Sequence, residues 1–162
     1  MKHVLVPLDG SLVGESALCQ AKDVLPANGT LTLVTAVEMP EIPLYGFDLV
    51  GVSNAPSYQE SLEEVMARAR AYLDKIAEGL RVSGYTVETI VQFGEPATII
   101  VSTACQQLVD AIVMSTHGRS GISRWLFGSV TSKVLTLASC PVLVVPSEHH
   151  PSAFASSVGH EL

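Results

Sequence analysis

Three observations predict an α/β fold built on a parallel sheet. Short apolar runs rich in Val, Leu and Ile alternate with stretches of helical period. Hydrophobic residues make up 48% of the chain but aromatics only 6%, the aliphatic bias of strands buried on both faces. The 162 residues suffice for one domain with a sizeable core.

Val4, Leu5, Val6, Pro7 and Leu8 form the first apolar run, and Asp9-Gly10-Ser11 turns the chain after it. A helix is expected over residues 13–25, broken by Pro26-Ala27-Asn28-Gly29. Residues 30–38, rich in Thr, Val and Leu, predict a second strand. Residues 39–56 carry Pro40, Pro43, Gly46, Gly51 and Pro56 without a period and read as a long loop. Because this loop leaves the carboxyl end of the second strand, it is expected to cover a pocket there, with Tyr45 and Phe47 placed to stack on a ligand.

Ser57-Tyr58-Gln59-Glu60 matches a capping box, and Leu62, Val65, Met66, Ala69, Tyr72, Leu73, Ile76 and Leu80 then follow at helical spacing up to Gly84. Residues 85–93 alternate as a third strand, 97–108 form a third helix, and 111–114 a fourth strand. A helix over 130–138 precedes Pro141-Val142-Leu143-Val144-Val145-Pro146, a fifth strand bracketed by prolines. Strands alternating with helices of this length imply βαβ units with right-handed crossovers. No internal repeat is present, and residues 147–162, with four serines and three histidines, read as a mobile tail after a domain spanning 1–146.

A formal net charge of −7 argues against nucleic acid or an anionic membrane as a main partner. The opening apolar run is too short for a signal peptide, and nowhere do 18 apolar residues run together, so a cytoplasmic protein is expected. Cys19, Cys105 and Cys140 are far apart and odd in number, which suggests buried thiols and neither a disulfide framework nor a metal site. His149 and His150 with His160 do not make a defined metal site either.

The charge is unevenly spread. Residues 111–147 contain Arg119, Arg124 and Lys133 and no Asp or Glu, a cationic island in an acidic chain. It surrounds Thr116-His117-Gly118, a nine-residue spacer, and Gly128-Ser129 opening a helix. Glycines let the backbone approach an anion, and a helix start offers unpaired N–H groups and partial positive charge, so this is a phosphate cradle with Ser129 expected as the N-cap. Trp125, Leu126 and Phe127 are expected to pack the loop down, or else to form a partner surface.

In open α/β sheets ligands bind beyond the carboxyl ends of the strands, where strand order reverses. If the order is 3-2-1-4-5, strands one and four are neighbours at that point. Leu8-Asp9 and Ser115 to Gly118 then converge from opposite ends of the chain. Asp9 can accept hydrogen bonds from an adenine amine or a ribose hydroxyl, or else simply cap the first helix.

Taken together, the opening Val-Pro-Leu-Asp-Gly-Ser, the run from Ile112 to Ser129 and the closing Cys-Pro-Val-Leu-Val-Val-Pro resemble the universal stress proteins of the nucleotide-binding type over residues 2–146. The resemblance implies a five-stranded Rossmann-like sheet with helices on both faces and a homodimer paired through the last strand, Val142 to Val145. It also implies ATP in the crevice, with any Mg or Mn held mainly by the phosphates. The family's binding positions correspond to Pro7, Leu8 and Asp9, to Ala36, and to Met114, Gly118, Gly128, Ser129 and Val130; Ser115 and Arg119 join them in the cradle. The first glycine of the family's Gly-x-x-Gly motif is Ser115 here, so the alternative is a dimeric interaction protein of the same fold without nucleotide.

Enzymatic signatures are missing. The chain has no Gly-x-x-x-x-Gly-Lys-Ser/Thr motif and no Gly-x-Ser-x-Gly elbow. It lacks the acidic pair after strand one and the lysine after strand five that a phosphoacceptor receiver domain needs. His117 is expected to order the loop and not to act as a general base. The expected function is that of an ATP-binding regulator with at most slow hydrolysis.

Overall fold

The computed structural model describes residues 1–38, 56–116 and 127–146, with the backbone alone at 56–61. The expected covering loop with Tyr45 and Phe47, the cradle residues His117, Gly118, Arg119, Arg124, Trp125 and Leu126, and the tail lie outside these residues.

Strands β1 (His3–Pro7), β2 (Thr30–Val37), β3 (Thr86–Phe93), β4 (Ala111–Ser115) and β5 (Val142–Val145) pair in parallel in the order β3-β2-β1-β4-β5. Helices α1 (Leu12–Val24), α2 (Pro56–Val82), α3 (Pro96–Gln106) and α4 (Ser129–Leu137) connect them. The strand period of two divides the core into two layers. Val4, Val6 and Leu8 of the β1 segment join Ala111 and Val113 of β4 against Ala17, Ala21, Leu73 and Ala77 of α1 and α2. Leu5, Ile112 and Met114, the intervening residues, pack against Ile100 and Val134 of α3 and α4. Helices therefore cover both faces, and Val4, Leu5 and Val6 are all fully buried. Burying one such aliphatic side chain contributes about 1.5–3 kcal/mol, which is why the continuous apolar run of β1 belongs in the middle of the sheet.

Element ends differ from the sequence reading where a cap was misassigned. Helix α2 begins at Pro56 itself, ahead of the Ser57 capping box; a proline at a helix start loses no bond, because its missing N–H would be unpaired there anyway. Helix α3 begins at Pro96 behind Glu95, whose carboxylate accepts from the Thr98 amide at 2.8 Å. Helix α4 begins at Ser129, so Gly128 and not Ser129 is the N-cap.

The thiols are not in the core: Cys19 and Cys105 are exposed and Cys140 is half-buried. Cys19 lies two residues from each of the buried Ala17 and Ala21, which on a helix puts it on the opposite face. Among the described residues no helix is long and apolar enough to cross a membrane.

Candidate functional site

Strand β1 lies between β2 and β4, with Leu5 paired to Ile112 and Pro7 to Val34. Beyond the carboxyl ends of these three strands lies a cavity of about 810 Å³. Its floor is made by Pro7 at the end of β1 with Leu8 and Asp9 after it, Thr35 and Ala36 of β2, and Met114 and Ser115 of β4; Gly128, Ser129, Val130 and Thr131 form one wall. The sequence-derived residues Pro7, Leu8, Asp9, Ala36, Met114, Ser115, Gly128, Ser129 and Val130 thus meet in one place. Gly118 and Arg119 lie outside the described residues.

The turn after β1 is built on Asp9, which does not cap α1. The Ser11 hydroxyl caps that helix by accepting from the Gly14 amide at 3.0 Å. Asp9 stands behind the cap: its Oδ1 accepts from the Ser11 amide at 3.0 Å and from the Ser11 hydroxyl at 2.6 Å. Gly14 makes room for this arrangement, since a Cβ there would sit 2.8 Å from Asp9 Oδ1 and 3.3 Å from Ser11 Oγ. The floor is further tied by Thr35 Oγ1, which donates to the Leu8 carbonyl at 2.9 Å.

The opposite wall is the first turn of α4. No side chain caps this helix among the described residues, so its first amides keep the partial positive charge of a helix start. Thr131, only 3% exposed, anchors it by donating from Oγ1 to the Ser115 carbonyl at 3.1 Å and the Thr116 carbonyl at 3.3 Å. The Gly128 amide donates to the Thr116 carbonyl at 2.9 Å, so the chain leaves the sheet and re-enters the helix through a closed neck.

Lys133, counted in the cationic island, turns away from the cavity and pairs with Glu95 Oε1 at 3.0 Å. The Thr98 hydroxyl first, then Lys133 and the Thr98 amide, hold the Glu95 carboxyl down at about 2. The positive charge of the described site therefore comes from the start of helix α4 and from Arg68, which also lines the cavity, and not from Lys133.

Sequence reasoning missed the third wall. Val65, Arg68, Ala69 and Tyr72 of α2 line the cavity, and so does Glu38 at the end of β2. The signal was present in the i, i+3, i+4, i+7 spacing of these α2 residues, which places them on one stripe. Arg68 is paired with Glu64 at 3.7 Å, both side chains being 70% exposed, a contact worth little. Tyr72 donates its hydroxyl to Glu15 Oε1 at 3.1 Å. Burial, followed by the charge of Glu15, pushes that hydroxyl above the usual tyrosine range, so it stays protonated. Among the described residues no group of three or more His, Cys, Asp or Glu is placed to hold a metal ion.

Known proteins share this architecture. The family model of the Universal stress protein family matches residues 1–146. A universal stress protein of Bacillus subtilis is 31% identical over 144 residues, covering 88% of this chain and 97% of that protein. The solved structure of a universal stress protein of Methanocaldococcus jannaschii superposes with a TM-score of 0.77 at 26% identity, covering 92% of this chain and 98% of that one. A universal stress protein solved in complex with cAMP gives a TM-score of 0.64 at 25% identity, covering 91% and 98% of the two chains.

Proposed function

The chain belongs to the universal stress protein family, and from that premise we propose that it binds an adenine nucleotide, ATP foremost, and acts as a homodimeric regulator and not as an enzyme. The observation that carries this reading is the convergence of Asp9, Ala36, Met114 and Ser115 around one cavity with the start of α4, which no described side chain caps. A cavity of about 810 Å³ falls within the range of small-molecule sites, roughly 300–1,000 Å³. The phosphates face the amides of the α4 first turn, where dipole and donors favour an anion. Gly128, Ser129 and Val130 hold them, with Gly118 and Arg119 completing the cradle. The base and ribose lie toward Asp9 and Ala36. An accompanying Mg or Mn is held mainly by the phosphates, since such hard cations take oxygen ligands. That one structural relative was solved with cAMP supports a nucleotide in this fold.

Dimerisation follows from β5. It is the outer strand of the sheet, and Leu143 on it is 39% exposed. Pairing Val142–Val145 with its twin covers an apolar edge that otherwise invites aggregation.

The competing reading, a dimer without nucleotide, rests on Ser115 standing where the family has glycine. Ser115 is the last residue of β4 and, among the described non-glycine residues, only Leu108 has positive φ. Glycine's conformational freedom is therefore not required at this position, which favours binding. Calorimetric titration with ATP tests both: the parent chain binds, Ser115→Gly changes little, and Gly128→Val loses about 10–100-fold through about 1–3 kcal/mol of blocked phosphate contact. No binding by the parent with clear binding by Ser115→Gly would establish the competing reading.

A further inference from the structure

Tyr72 is the one aromatic residue among the described residues that line the cavity. It is half-buried against the α1–α2 layer of the core. Its hydroxyl reaches two elements besides its own, because it donates to Glu15 of α1 at 3.1 Å and the Gly10 amide of the β1–α1 turn faces the same oxygen. A ring pinned at its tip has already lost most of its rotamer freedom, so a flat ligand that packs on it meets little further ordering cost.

Charge decides which part of a nucleotide arrives there. Asp9 lines the cavity close enough for its charge to act on the Tyr72 hydroxyl, and Glu15 stands behind the ring, so the ring face disfavours a polyphosphate, whereas the α4 start attracts one. The uncharged base therefore suits the tyrosine face, while Arg68, one turn earlier on α2, also lines the cavity and is paired with Glu64.

We propose that Tyr72 is the wall on which the base of the bound nucleotide packs, and that Glu15 is the positioning residue that fixes this wall through the tyrosine hydroxyl. The proposal rests on the nucleotide reading above. It assigns discrimination of the base to a helix that makes no contribution to the phosphate cradle.

The test compares ATP affinity with the affinity of inorganic tripolyphosphate, measured as a competitor of ATP, in the parent chain and in Tyr72→Ala, Tyr72→Leu, Tyr72→Phe and Glu15→Ala. Circular dichroism confirms that each variant folds, and Tyr72→Leu keeps the apolar volume should alanine destabilise the helix. Tyr72→Ala and Tyr72→Leu are expected to weaken ATP about 3- to 10-fold, the worth of one aromatic contact, and to leave tripolyphosphate unchanged. Tyr72→Phe and Glu15→Ala, which keep the ring but release its tip, are expected to lose less than about 3-fold. Equal weakening of ATP and tripolyphosphate, or undiminished ATP affinity in both Tyr72→Ala and Tyr72→Leu, overturns the base wall while leaving nucleotide binding in place. Failure of the parent chain to bind ATP overturns the nucleotide reading itself, and this proposal with it.

Discussion

Thr131→Val isolates the anchor that holds α4 against the sheet. Valine keeps the shape of threonine and removes only the hydroxyl, which donates to the Ser115 and Thr116 carbonyls at 3.1 and 3.3 Å. At 3% exposure, water cannot replace the lost donor without repacking the first turn. The cost of a buried hydrogen bond lost on one side is about 1–3 kcal/mol; the longer second contact and the second lone pair of each carbonyl place this case at the lower end, about 1–2 kcal/mol. For a chain of 162 residues that corresponds to a fall in Tm of about 2–8 °C. Urea unfolding is the assay, with the midpoint shifted and the slope unchanged, because the surface exposed on unfolding is the same. If Thr131→Val is as stable as the parent within about 0.5 kcal/mol, typical of a surface substitution, the hydroxyl is not an anchor and the argument for a fixed α4 wall fails.

Gly14→Ala reverses the usual helix rule. Alanine normally stabilises a helix interior over glycine by about 1 kcal/mol, but here the new Cβ meets Asp9 Oδ1 at 2.8 Å, so thermal unfolding should show a net loss of about 1 kcal/mol, and a stabilised variant would refute the packing. Glu95 titrates near 2 when folded against 4.5 unfolded, so its contribution is complete above pH 4.5 and is lost as pH falls toward 2. With its side chain 41% exposed, that contribution is below about 1 kcal/mol. Glu95→Gln should therefore narrow the stability gap between pH 6 and pH 2.5, and an unchanged gap would rule out the assigned cause. Val144→Glu should turn a dimer into a monomer in sedimentation velocity at micromolar concentration; a monomeric parent, or a dimer that survives the charge, removes β5 from the interface.

Much of this architecture was legible because strands and helices leave different periods. The run Val4 to Val6 could only be satisfied between two helical layers, and Gly128 marked the return to a helix. The α2 wall was not legible for a reason of length. Its 27 residues span about 40 Å, whereas the eight residues of β2 span about 26 Å, so the helix overshoots the strands it packs on. Spacing shows that Val65, Ala69 and Tyr72 share the stripe of Leu73 and Ile76. It does not show which turns of that stripe cover the sheet and which stand clear above its carboxyl end. Caps failed similarly: Ser57 and Ser129 are good cap residues beside Pro56 and Gly128, and the choice between neighbours is made by tertiary contacts such as the bond from the Gly128 amide to Thr116.

The central place of β1 has a kinetic consequence. Val4, Leu5 and Val6 lie under helices on both faces and between two strands, so their amides exchange with solvent only when the whole domain opens. The floor of the cavity therefore lasts as long as the fold. Helix α4, nine residues long and packed in one core layer with Val142 of the edge strand, is expected to open before β1. On the nucleotide reading proposed above, a ligand bridging floor and rim is expected to slow the exchange of α4 and to leave β1 as slow as before.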